Sequence, residues 1–92
     1  MTKLVRDKVP SLTSARFVTV DRDTACSLLK HKLVEEVVEF ISRPSVEELA
    51  DIVEVVDALS KCLGSSLAEV LVVKEVKRVE KGGFEAGFVL VE

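Results

Sequence analysis

Apolar residues recur at helical spacing through the middle of the chain, interrupted where a helix would have to stop. In the first such stretch Cys26, Leu29, Leu33, Val34, Val37, Val38, Phe40 and Ile41 fall on one broad arc of a helical wheel. Lys32, Glu35, Glu36 and Glu39 take the remainder, with Glu36 at the seam beside Leu29 and Phe40. Asp23 or Thr24 is suited to cap this helix, and Pro44 ends it near Ser42 by disfavouring helical geometry at the residue before it. Ser45-Val46-Glu47-Glu48 then reads as a capping box opening a second helix that runs to about Leu63, where Gly64 supplies the stop. Its apolar arc holds Leu49, Ile52, Val55, Val56, Ala58, Leu59, Cys62 and Leu63. Ser66-Leu67-Ala68-Glu69 repeats the box and opens a third helix to about Glu80, broken at Lys81-Gly82-Gly83.

The helical period is not kept near the two ends. Phe17 to Val20 and Phe88 to Val91 have strand composition and are expected as short strands that could pair with each other. The expected architecture is one domain over residues 1–92, an all-α small antiparallel bundle with short terminal strand segments. Three short helices leave more apolar surface than one chain can hide, so completion by a second copy, as a homodimer or larger homo-oligomer, is expected.

Composition narrows the function. The 92 residues are 48% hydrophobic and 32% charged, with a net charge of -3, which argues against a polymeric nucleic-acid binder. With no Trp, no Tyr and four Phe, there is no stacking platform for single strands. No apolar run approaches the about 20 residues a membrane span needs, and charges interrupt the first residues, so a cytoplasmic protein is expected. Cys26 and Cys62 form no CxxC, and a single histidine excludes the usual Cys/His zinc sets. The two cysteines are expected as buried free thiols in a reducing compartment. His31 lies on the polar side of its helix and is expected at the surface.

The acids carry the candidate chemistry. Asp51 falls inside the second apolar arc, between Ala58 and Cys62, and Glu48 falls between Val55 and Leu59, with Glu54 at the border. A carboxylate in an apolar setting loses hydration worth several kcal/mol unless a partner compensates, and this helix offers only Lys61, on its outer side. A bound cation is the economical partner, because Glu36, Glu39, Glu48 and Asp51 converge if the two helices pack antiparallel about their short connection. Hard oxygens without sulfur or imidazole select Mg²⁺ or Mn²⁺. Each acid also has an ordinary reading: Glu48 as the third residue of the capping box, Glu36 and Glu39 as solvated helix face. Asp51 lacks one, since Asp is a poor helix former and is rarely buried unpaired.

Glu35-Glu36-Val37-Val38-Glu39 followed by Glu48-Leu49-Ala50-Asp51 resembles the EExxE…ExxD signature of MazG-like nucleotide pyrophosphohydrolases. The opening Lys3-Leu4-Val5-Arg6-Asp7-Lys8-Val9-Pro10 and the closing Lys81-Gly82-Gly83-Phe84 look like the phosphoribosyl-ATP pyrophosphohydrolase-like subgroup. The gap between the acidic motifs is shorter than in the longer MazG-type relatives. The resemblance implies an all-α fold whose subunits pair, with Mg²⁺ held by Glu36, Glu39, Glu48 and Asp51. It implies hydrolysis of a nucleoside triphosphate between the α and β phosphates, giving the monophosphate and pyrophosphate. Glu35, Glu36 and Glu54 would serve catalysis, Glu35 or Glu54 by orienting water, while Lys3, Arg6, Lys8, Arg78 and Lys81 would hold phosphate oxygens.

Three functions follow as expectations: a house-cleaning pyrophosphohydrolase, the corresponding reaction on phosphoribosyl-ATP in histidine biosynthesis, or a non-catalytic helical dimer that binds a nucleotide or protein. No GxxxxGK[ST] supports a P-loop enzyme, and Gly82-Gly83 reads equally as a close approach to phosphate or as a helix stop.

Overall fold

Helix α1, Arg22–Ser42, begins where Asp21 accepts a hydrogen bond from the Thr24 backbone N–H at 2.8 Å. The cap is thus two residues ahead of the earliest one expected, because Asp21 has the extended backbone that a capping residue needs. The other two capping boxes form as read: Ser45 accepts from Glu48 N–H at 3.1 Å and Ser66 from Glu69 N–H at 3.2 Å. They open α2, Val46–Cys62, and α3, Leu67–Lys81. Gly64 and Gly82 follow the last turns at φ +71° and +81°, a left-handed backbone that a side chain would oppose. Gly82 donates its N–H to the Arg78 carbonyl at 2.8 Å, so at that position the helix stop is the reading the geometry supports.

The computed structural model describes residues 3–92, leaving the first two residues of the opening charged segment outside the described residues. Among the described residues the fold is all-helical, with a 3-10 turn at Val9–Ser11 ahead of the three α-helices. The expected strands do not form: Phe17 to Val20 and Phe88 to Val91 run without regular structure and are exposed. A strand needs a neighbour for its N–H and C=O groups, and these two segments do not pair.

Helices α1 and α2 form the main antiparallel hairpin, and α3 touches α2 more lightly. The hairpin is closed at one end by the Arg43–Pro44–Ser45 connection and at the other by a disulfide between Cys26 and Cys62, Cα atoms 6.0 Å apart. The expectation of free thiols is therefore corrected. Cys26 lies eighteen residues before Pro44 and Cys62 eighteen after it, so an antiparallel hairpin brings them level on facing apolar arcs. Arg22 reinforces that end by donating to the Lys61 carbonyl at 2.7 Å.

The packed centre is small. Among the described residues only Val55 and Ser60 are buried, and Ser60 is satisfied by donating its hydroxyl to the Asp57 carbonyl. Much of the apolar arc of α1 (Val34, Val38, Ile41) and of α3 (Val72, Val76, Val79) stays in contact with solvent.

Candidate metal centre

The antiparallel hairpin sets the acids opposite one another by the same count that aligns the cysteines. Glu36 lies eight residues before Pro44 and Asp51 seven after it; Glu39 and Glu48 are five before and four after. Glu36, Glu48 and Asp51 each offer a carboxylate oxygen, and these oxygens lie within 4.8 Å of one another. Glu39, one helical turn from Glu36, is exposed and stands outside this closest set. The Ser45 cap uses only the backbone N–H of Glu48, which leaves its carboxylate to the cluster, so cap and cluster are compatible roles.

Crowding of like charge is visible in Glu48. Its carboxyl is pushed above the ordinary range first by desolvation, then by the negative charges of Asp51, Glu39 and Glu36. Glu35, one residue before the cluster, is held below the ordinary range chiefly by a hydrogen bond from Lys3, with Lys32 assisting. Lys3 lies 2.9 Å from the Glu35 carboxylate and Lys32 3.2 Å. Lys32 also reaches Glu36 at 3.2 Å, in the least exposed of these ion pairs. Sequence reasoning missed Lys32 as a partner of these acids, although its i, i+3 and i, i+4 spacing to Glu35 and Glu36 carries that signal.

Asp51 differs from expectation. Its side chain is 37% exposed instead of sealed in an apolar interior, and Arg6 pairs with it at 2.5 Å from 45 residues earlier in the chain. The compensating charge that α2 lacks arrives from the N-terminal segment. An exposed pair of this kind contributes only about 0.2–1 kcal/mol, so it satisfies Asp51 without binding the segment firmly.

A cavity of about 520 Å³ lies beside the cluster, lined by Glu36, Asp51 and Glu54, by Leu29, Val55 and Ala58, and by residues 4–8 of the N-terminal segment. Arg6 and Lys8 therefore stand at this cavity, while Lys3 engages Glu35 at its edge. Arg78 and Lys81 do not line it; they lie in the last turn of α3, where Arg78 pairs with Glu85 at 2.8 Å. His31 is exposed.

The donor set fits a hard divalent cation. Its three carboxylates offer hard oxygen ligands without sulfur or imidazole, the chemistry that suits Mg²⁺ or Mn²⁺. Comparison of the chain with protein-family models, with curated proteins and with solved structures found no match. The fold and the site thus define a class and no more: a helical hairpin that opposes carboxylates across its two helices, with cations in reach.

Proposed function

We propose that this protein is a MazG-like, Mg²⁺-dependent nucleoside triphosphate pyrophosphohydrolase of the house-cleaning kind, active as a homodimer. The observation that carries the reading is the convergence of Glu36, Glu48 and Asp51 within 4.8 Å of one another beside a cavity that also holds Arg6 and Lys8. Glu36, Glu48 and Asp51 would hold the ion, with Glu39 joining from the next turn. When bound, Mg²⁺ (or Mn²⁺) supplies a Lewis acid that neutralises charge on the phosphoanhydride. Arg6 and Lys8 give charge-assisted hydrogen bonds to the polyphosphate. Glu54, exposed at the cavity wall, is better disposed to orient the attacking water than Glu35, which two lysines already engage. Water adds to the α phosphorus and gives up a proton to solvent, the bond from that phosphorus to the α–β bridging oxygen breaks, and pyrophosphate leaves with that oxygen. Arg78 and Lys81 would reach phosphate only from a second copy. The proposal includes a cytoplasmic setting, where nucleotide pools lie; the Cys26–Cys62 bond runs against this part of it, because disulfides persist chiefly in oxidising compartments.

One observation favours a second reading. Lys3, Arg6 and Lys32 already pair with the acids, so a non-catalytic helical dimer could keep this cluster as a salt-bridge network. The discriminating assay measures pyrophosphate release from a panel of triphosphates, phosphoribosyl-ATP included, with and without Mg²⁺. We expect Mg²⁺-dependent release that Asp51→Asn and Glu36→Gln abolish. If no member of the panel is hydrolysed and Asp51→Asn leaves metal binding unchanged, the enzyme reading fails. Phosphoribosyl-ATP as the preferred substrate would move the protein to the histidine-pathway reaction.

A further inference from the structure

The cations facing the acidic set come from two sources with different freedom. Lys32 belongs to α1 and approaches Glu36 from one helical turn away. Lys3 and Arg6 come from residues 3–8, a segment with no helix or strand that runs into the 3-10 turn at Val9–Ser11. Within it Leu4 and Val5 are half-buried, whereas Lys3, Arg6, Asp7 and Lys8 are exposed. Residues 4–8 nevertheless line the cavity together with Leu29, Val55 and Ala58. The segment is thus a strap laid across the opening between α1 and α2, fastened by exposed ion pairs at Glu35 and Asp51.

We propose that this strap is displaceable and that Arg6 acts in two successive places. Without a divalent cation its guanidinium is the counter-ion of Asp51; when the cation takes Asp51, Arg6 is released to bind a polyphosphate at the same cavity. The inference rests on the metal-centre reading given above. Its physical basis is competition: a guanidinium in contact with Asp51 and a divalent ion on the same carboxylate repel each other at close range. The partner with the weaker hold is the exposed arginine on an irregular segment. What yields is the Arg6–Asp51 fastening alone; residues 4–8 stay as part of the cavity wall, so the freed guanidinium remains at the cavity. Linkage then requires the effect to be reciprocal, so removing Arg6 must strengthen binding of the cation.

The test measures Mn²⁺ affinity of the intact protein, by electron paramagnetic resonance of the free ion, for wild type, Arg6→Gln and Arg6→Lys, with helicity as the folding control. Tripolyphosphate affinity at saturating Mn²⁺ is measured on the same three proteins. We expect Arg6→Gln to bind Mn²⁺ about five-fold tighter and tripolyphosphate at least about five-fold more weakly, with Arg6→Lys between it and wild type. Equal or weaker Mn²⁺ binding in Arg6→Gln would overturn the proposal and make Arg6 a positioning residue for Asp51, leaving the metal centre intact. Unchanged tripolyphosphate affinity would overturn the second place of Arg6. If wild type is silent and Arg6→Gln binds Mn²⁺, Arg6 blocks the site without yielding to the cation, and its displacement is overturned. If neither binds, the metal centre itself is refuted and the strap has nothing to yield to.

Discussion

Glu48 joins two demands in one residue, and they separate cleanly by atom. Its N–H completes the Ser45 cap, while its carboxylate sits with Glu36 and Asp51 and is driven upward in pKa by desolvation and by their charge. Glu48→Gln keeps the backbone donor and a side chain the capping box accepts, so helicity should stay at the wild-type level while Mn²⁺ binding falls away. Ser45→Ala should do the reverse, costing about 1 kcal/mol in urea unfolding with the metal affinity retained. Loss of metal binding in Ser45→Ala but not in Glu48→Gln would remove Glu48 from the cluster. The sequence made Glu48's double role legible, because the box spacing and the wheel position are both local. It misjudged Asp51 for the opposite reason. The wheel knows only the helix, and Arg6, the partner that satisfies Asp51, lies 45 residues away in a segment without periodicity.

At the scale of the elements, the α1–α2 hairpin is the part that positions chemistry, and it is held at both ends. The Arg43–Pro44–Ser45 turn closes one, Cys26–Cys62 and the Arg22 contact close the other. A disulfide spanning 36 residues removes unfolded-chain entropy worth about 4 kcal/mol in the simple loop-closure account. Cys26→Ser with Cys62→Ser, or treatment with dithiothreitol, should therefore lower unfolding stability by about 3–4 kcal/mol, measured by urea denaturation. A loss near zero would mean that helix packing alone fixes the hairpin. Helix starts were legible because capping boxes are sequence-local; the first cap falls at Asp21, not at Asp23 or Thr24, because several capping-type residues lie close together there. The disulfide was legible only after the antiparallel pairing was applied to the cysteines as it had been to the acids. The terminal strands were misread because a short β-branched and aromatic run carries no information about whether a neighbour exists.

At the scale of the whole molecule, the single chain is extended. Its accessible surface is 8094 Å² and its radius of gyration 16.4 Å. A compact monomer of this size would expose about 5,300 Å² with a radius near 12 Å. The excess is larger than the surface a standard protein–protein interface takes from each partner, about 800 Å². The apolar stripe of α3, running through Leu71, Val72, Val76 and Val79, is exposed, as is the stripe of Val34, Val37, Val38 and Ile41 on α1. Sedimentation equilibrium should give a mass of at least two chains at micromolar concentration, and Leu71→Asp with Val76→Asp should shift it to one chain and lower the helix content. A wild-type protein that sediments as a stable single chain would refute the dimer. The surplus of apolar residues was readable from composition; which helix would carry it was not, because that depends on α3 leaving α2 after its first turns.

Viewed as connectivity, the disulfide makes residues 26–62 a covalent ring with two tails. Glu35, Glu36, Glu39, Glu48, Asp51 and Glu54 all belong to the ring, so a single peptide-bond break in the Arg43–Ser45 turn would leave every carboxylate attached to the same molecule. Arg6 belongs to a tail, tethered by one strand of backbone. A cut after Lys8 would release it with its peptide. The acidic half of the site is therefore doubly secured against a break in the chain, and its basic half is singly secured.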